Sequence, residues 1–167
     1  LKHIAQYKCE TGFGTRHIVF SKDGNYFYVV GELSSQINVV KFNEDTWDFE
    51  NIATYKTIPA DFTDHNGAAA LYISQDGKYV YTSNRGHNSI AVFKVNDDHT
   101  LSLVQRVSTF GDFPRDFNWD KDQRYVVVAN QNTDNATLYT RNAGTGSLTP
   151  IQKEISVPEG TRVLFTK

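Results

Sequence analysis

The sequence predicts an all-β fold, a partial β-propeller of four-stranded antiparallel blades, with about three complete blades in the chain. Three observations predict it. The stretch LYISQDGKYVYTSNRGHNSIAVFKV, Leu71 to Val95, alternates apolar and polar residues around a tight Asp76-Gly77 turn and an Asn-rich turn, as a β-meander does. The same unit recurs as IVFSKDGNYFYVVGELSSQINVVKF, turning at Asp23-Gly24, and as FNWDKDQRYVVVANQNTDNATLY, turning at Asp122-Gln123. The turn positions Gly24, Gly77 and Gln123 lie 53 and then 46 residues apart, near the spacing of about 40–50 residues expected of propeller blades.

Taken in order, the chain opens with IAQYKCETGFGTR, whose pattern returns in LVQRVSTFGDFPR and PIQKEISVPEGTR: an apolar strand, a Gly- or Pro-containing bend, then an arginine. NIATYKTIPADFTDHNGAA, Asn51 to Ala69, is a longer version. Each reads as the outermost strand of one blade crossing to the innermost strand of the next. A lone outer strand is expected over 3–9, blades over 16–57, 69–109 and 115–156, and a lone inner strand over 162–166. The turns NEDTWDF, NDDHTLSL and NAGTGSL join third to fourth strands and carry the Asn, Asp and Gly that tight hairpins require. No segment has a helical period and no linker divides the chain, so residues 1–167 form one partial domain. Three blades and two lone strands cannot close a ring. The expectation is the C-terminal half of a longer protein, closed by the remaining blades of the parent chain or, alternatively, by a second copy. The absence of methionine agrees with a chain that starts partway through its parent.

The bulk composition narrows the partners. With 39% hydrophobic and 22% charged residues and a net charge of −2, the 167 residues suit a soluble globular domain and give no reason to expect nucleic acid or an anionic membrane. No apolar run approaches the roughly 20 residues that span a bilayer, and LKHIAQYK has no secretory h-region. Cys9 is the single cysteine, which excludes an internal disulfide and suits a cytoplasmic location.

Positions equidistant from a hairpin turn end side by side. Eight residues to either side of the turn stand Arg16 and Glu32 in the first blade, Ala69 and Arg85 in the second, and Arg115 and Gln131 in the third. The next inner strand supplies Arg162. One axial end of the propeller is therefore expected to gather arginines around a single acid, where blades converge on a ligand pocket. Arginine stays charged and presents a planar fork of donors to carboxylate, phosphate or a developing oxyanion. Glu32 is the only acid in the set and so the candidate general base, its pKa lowered by its neighbours. Each arginine also has a structural reading, as a partner for an adjacent blade's carboxylate or for backbone carbonyls.

His17, on the alternate face beside Arg16, and His65, in the long crossing DFTDHNGAA, are weaker substrate-binding candidates; His17 suits packing or hydrogen bonding more than catalysis. His87 reads as a solvated turn residue. Asn84 and Asn130, each seven residues past its turn, read as satisfying backbone groups near the pocket, and Trp47 and Trp119 as packing between blades. Scattered histidines and one cysteine offer no zinc spacing, and no Gly-rich phosphate loop or nucleophile elbow occurs, so no metal and no cofactor is expected.

The segments GFGTRHIVFSKDGNYFYVVGELSSQINVVKF, AALYISQDGKYVYTSNRGHNSIAVFKV, FPRDFNWDKDQRYVVVANQNTDNATLY and VPEGTRVLF together resemble the propeller-type 6-phosphogluconolactonase and 3-carboxymuconate cyclase-like proteins. The resemblance covers essentially the whole chain and implies the C-terminal half of a seven-bladed bacterial enzyme that opens or closes a lactone ring. It implies catalytic roles for Arg16 in TRH, Glu32 in GEL and Arg85 in SNRG; a further family histidine belongs to a preceding blade and is absent here. Thr15 stands where the family usually has proline, Tyr72 where it often has histidine, and Gln123 where it has the turn glycine. The activity so implied is hydrolysis of 6-phospho-D-glucono-1,5-lactone in the oxidative pentose phosphate pathway, with a small anionic lactone as substrate. The alternatives are a cycloisomerase or lactonase acting on carboxymuconate-type compounds, and a non-catalytic propeller that binds a sugar acid or a protein.

Overall fold

Each tight corner folds the chain back into an antiparallel ladder, and the computed structural model, which describes residues 1–166, contains twelve strands so formed. The first sheet joins β1 (Thr15–Phe20), β2 (Tyr26–Gly31), β3 (Gln36–Asn43) and β4 (Asp48–Lys56) in that order. The second joins β5 (Gly67–Ile73), β6 (Tyr79–Arg85), β7 (Ser89–Val95) and β8 (Leu101–Ser108). The third joins β9 (Pro114–Trp119), β10 (Tyr125–Asn130), β11 (Asn135–Arg141) and β12 (Leu148–Ser156), with a single 3₁₀ turn at Gln131–Thr133. Three sequential four-stranded antiparallel meanders are the blades of a partial propeller. No helix among the described residues is long and apolar enough to cross a membrane.

The corner chemistry explains the repeat. Ser21 Oγ donates to Asp23 Oδ1 at 2.5 Å and accepts the Tyr26 N–H at 3.0 Å; Ser74 does the same with Asp76 and Tyr79, at 2.5 and 3.0 Å. Gly24 and Gly77 supply the left-handed residue, at φ 78° and 75°. In the third blade Asp120 takes the serine's place, its Oδ1 accepting the Arg124 and Tyr125 N–H groups at 2.7 and 2.8 Å. Gln123 then adopts φ 54° without glycine's freedom. The turn survives the loss of its glycine because the carboxylate still gathers the backbone donors.

A second repeat sits at the opposite end. Ser35, Asn88 and Asp134, between second and third strands, all have left-handed φ, at 52°, 52° and 53°. Their carbonyls accept the N–H groups of Thr57, Thr109 and Val157, at 3.0, 2.9 and 2.9 Å, just past the fourth strand. Each outgoing strand is thereby tied to its own blade before it crosses.

The sheets pack face to face. Tyr28, Val30, Ile37 and Val39 meet Leu71, Val80 and Phe93, while Tyr81, Ile90 and Val92 meet Phe117, Val126 and Tyr139. Each such side chain, taken from water, contributes about 1.5–3 kcal/mol. Second-strand tyrosines also reach the next blade's turn: Tyr28 Oη donates to the His99 carbonyl at 3.5 Å and Tyr81 Oη to that of Gly146 at 2.7 Å. Trp119 joins the second core, but Trp47 is 46% exposed and leans on Phe42, since its hairpin extends beyond the sheet contact.

Two expected elements differ. Residues 3–9 and 162–166 form no strand, because no neighbouring strand in the described chain offers either a ladder. Residues near Tyr7 and Cys9 instead lie across the outer face of the first sheet, on Phe27, Val29 and Phe49. The run near Val163 is held by side chains: its N–H donates to Asp116 Oδ2 at 2.9 Å and its carbonyl accepts Asn118 Nδ2 at 3.2 Å.

Candidate active site

Inner strands should pair evenly with their neighbours, yet each slips near one end. Pairing in the first blade runs from His17↔Val30 to Thr15↔Gly31, passing over Arg16. In the third blade it runs from Asp116↔Ala129 to Pro114↔Asn130, passing over Arg115, and in the second from Leu71↔Thr82 to Ala68↔Asn84. These are β-bulges, which re-aim a side chain and sharpen the local twist. The bulge replaces the even register expected from the sequence: Arg85 lies opposite Gly67, not Ala69.

Arg16, turned out by its bulge, donates from Nη1 to Glu32 Oε2 at 3.1 Å. Glu32 stands just past β2, its N–H bonded to the Gly14 carbonyl at 2.8 Å and its own carbonyl accepting the Ala68 N–H at 3.2 Å. That last bond ties it to the second blade. From there Arg85, at the end of β6, donates through Nη2 to Glu32 Oε1. Arg85 Nε also donates to the Gly67 carbonyl at 3.1 Å. The arginine side chains are 7% exposed for Arg85 and 23% for Arg16, and Glu32 is 33% exposed, so Arg85 is a buried wall while the other two reach solvent.

Electrostatics follow from this triad. Partial burial alone would raise the Glu32 pKa, but the hydrogen bond and charge of Arg85, and then Arg16, outweigh it and hold the carboxyl below its ordinary range. Arg16 Nε is shielded from water and has no acceptor. Glu32 and Arg85 line a cavity of about 90 Å³ with Leu33, His65, Asn66, Gly67 and Phe113.

The other expected residues fall as follows. His65 is exposed on the rim of that cavity. Arg115 donates to Gln131 Oε1 at 3.3 Å, a pair one blade further on, with Gln131 in the 3₁₀ turn. Neither touches the Glu32 group, and Arg162 is exposed, so the expected single cluster resolves into a triad and a neighbouring pair. His17 lies exposed beside Arg16; desolvation by neighbouring chain and then the Arg16 charge lower its pKa, leaving it neutral at pH 7. His87 is half-buried, not solvated: its Nδ1 lies 2.7 Å from Ser89 Oγ and its ring meets the edge of Phe62. Asn84 is fully buried, its Nδ2 donating to the Thr57 carbonyl and its Oδ1 accepting from Thr57 Oγ1 at 2.7 Å. Asn130 Nδ2 donates to the Thr109 carbonyl at 3.0 Å.

Sequence reasoning missed Phe113, whose ring lies 4.9 Å from the Arg85 guanidinium carbon, and Asp116, buried between inner strands. Asp116 Oδ1 accepts the Tyr72 hydroxyl at 3.0 Å, and burial, then the Asp116 charge, push the Tyr72 pKa up to about 12. The aromatic–proline–arginine run ending in Arg115 is the one local signal for Phe113. A larger cleft of about 610 Å³ lies between residues 2–9 and the outer face of the first sheet. Its walls are mainly aromatic and aliphatic, among them Phe20, Phe27, Phe42 and Phe49, like the faces that blades press together elsewhere. Arg16 and His17 also line this cleft, whereas Glu32 and Arg85 line the smaller one.

Known proteins share this arrangement of strands. A family described as "Lactonase, 7-bladed beta-propeller" matches residues 1–165. The 6-phosphogluconolactonase of Bacillus subtilis is 42% identical over 155 residues, covering 92% of this chain and 44% of its own. A crystal structure from Lactobacillus plantarum superposes with a TM-score of 0.93 at 53% identity, covering 96% of this chain and 47% of that one. The periplasmic gluconolactonase of Pseudomonas aeruginosa superposes with a TM-score of 0.83 at 33% identity, covering 90% and 42%. The chain therefore spans about half the length of the relatives it matches.

Proposed function

The chain belongs to the seven-bladed β-propeller lactonase family, and from that premise we propose that it carries the acid–base half of a site hydrolysing 6-phospho-D-glucono-1,5-lactone to 6-phosphogluconate. The observation that carries the reading is one carboxylate, Glu32, held between arginines of two blades. Glu32 accepts a proton from water as the water oxygen bonds to the lactone carbonyl carbon. The carbonyl oxygen becomes an oxyanion, and Arg16 and Arg85 stabilise it with N–H donors not spent on Glu32. The unpartnered Nε of Arg16 is one such donor. As Arg16 turns toward the oxyanion, its hold on Glu32 weakens and the carboxylate's basicity rises. Collapse of the intermediate breaks the bond from the carbonyl carbon to the ring oxygen, which takes the proton back from Glu32. The open-chain acid leaves.

Arg115, set beside Gln131, is assigned the phosphate, and His65 and His17 the polar rim. The remaining blades of the complete protein close the pocket. A phosphorylated sugar does not cross membranes freely, which supports work in the cytoplasm and a place in the pentose phosphate pathway. A second reading, hydrolysis of unphosphorylated gluconolactone, is favoured by the likeness to the Pseudomonas gluconolactonase. Lactone loss measured above spontaneous hydrolysis, with the complete propeller carrying this chain and both lactones, separates the two. Faster turnover of the phosphorylated lactone, lost in Arg115→Ala, supports the first reading. Equal turnover of both, indifferent to Arg115, supports the second, and no turnover of either sinks both.

A further inference from the structure

Phe113 has three features that converge on the triad. Its backbone is left-handed, at φ 63°, an uncommon state for a bulky residue and one that persists only where surroundings impose it. Two hydrogen bonds do so: the Phe113 N–H donates to Asn88 Oδ1 at 3.1 Å, and its carbonyl accepts the Gln131 N–H at 3.1 Å. The ring so placed lies over the Arg85 guanidinium, 4.9 Å from its central carbon, and walls the cavity shared by Glu32, Leu33 and His65. Phe113 belongs to the crossing into the third blade, so the triad of the first two blades is completed by the next.

We propose that Phe113 is a positioning residue, held in a strained backbone state so that its ring fixes Arg85 against Glu32. A guanidinium has several ways to reach a carboxylate. The ring occupies one face and the Gly67 carbonyl takes Nε, leaving the Nη2 edge directed at Glu32. Gly67 leaves room for this, since a Cβ there would stand 3.0 Å from Arg85 Nη2. The charged and titratable groups facing Glu32 are Arg16 and His17 from β1, Arg85 from β6 and His65 from the crossing; Phe113 acts through Arg85 alone.

The inference rests on the lactonase reading only for its kinetic readout. The complete propeller carrying this chain is compared with Phe113→Leu, which keeps apolar bulk without an aromatic face, and Phe113→Tyr, which keeps the face. Phe113→Leu is expected to lower kcat about threefold to tenfold and to move both the acid limb of the rate profile and the ¹³C titration of the Glu32 carboxyl to higher pH. Phe113→Tyr is expected to restore all three. A Phe113→Leu protein with a lower Tm but an unchanged Glu32 titration overturns the proposal. If that variant fails to fold, the Arg85 Nε–H resonance of the unaltered protein decides: a ring-current shift supports the contact, and a random-coil value overturns it. Absence of lactone turnover in the unaltered protein removes the catalytic reading while the carboxyl titration still tests Phe113.

Discussion

At the scale of single residues, the site rests on opposing effects at Glu32. Burial disfavours its charge and two arginines favour it, with the arginines ahead. A carboxyl lowered in the folded state adds stability that is complete above its unfolded pKa and is lost as pH falls through the folded value. The proposed base is ionised over the same range. The acid limb of kcat/KM is therefore expected below the ordinary glutamate value of about 4.3, and Arg85→Ala should move that limb upward as well as lower the rate by about 10²–10³-fold. A limb unmoved by Arg85→Ala would place the titration on another group. Glu32→Gln removes the base and keeps the shape; turnover should fall about 10²–10⁴-fold and Tm should drop as Arg85 loses its counter-charge, and an unchanged rate would end its role. Residue types made this much legible, since a lone acid among arginines at matching offsets from three turns stands out in the sequence. Phe113 did not stand out, because a cation–π contact between blades leaves no periodic trace.

Elements explain what the offsets obscured. Even pairing places Arg16 opposite Glu32 and Ala69 opposite Arg85, but a bulge in each inner strand shifts the register and turns the bulged residue outward. Bulges carry no composition signal when, as here, Arg16, Arg115 and two alanines occupy them. The crossings are held by equally local devices. Gly86, at φ 128°, passes so close to the His65 carbonyl that a Cβ would collide with it. Gly86→Ala is expected to push residues 65–67 away, freeing the carbonyl that anchors Arg85 and lowering kcat/KM by at least about tenfold; full activity would show that the segment tolerates displacement. Asn84 ties the same crossing to the first blade through Thr57 and Asn66. Its replacement by alanine strands buried donors and acceptors and should cost about 1–3 kcal/mol, measurable as a lower denaturant midpoint. The Asp-Gly corners and Asn positions were legible because the same local chemistry recurs, and Gln123 shows that chemistry persisting when the glycine does not.

For the whole molecule, the three blades are joined by the same kind of contact twice, which leaves one face of the first sheet and one of the third without a partner sheet among the described residues. The first and second sheets, and the second and third, bury most of their facing tyrosines and aliphatics, among them Tyr28, Val30, Tyr81 and Val92. On the first sheet's outer face, residues 3–9 cover Phe27 and Val29, yet Ile18 and Phe20 remain 49% and 54% exposed. On the third sheet Tyr125 is 39% exposed. Turn spacing made the blades legible, but it says nothing of what meets these faces. The relatives are about twice as long. If their remaining blades close the ring, residues 1–167 expressed alone should self-associate and bind a hydrophobic dye, and should hydrolyse lactone no faster than water does. The complete propeller should elute as a discrete species and lose the dye signal. A monodisperse, dye-negative and active fragment would mean instead that three blades suffice, and the arginines around Glu32 would then be the whole site. Solvent access argues against that outcome: the Arg16 and Glu32 side chains are 23% and 33% exposed in this chain, and a lactonase pocket needs walls that exclude the water that screens its charges.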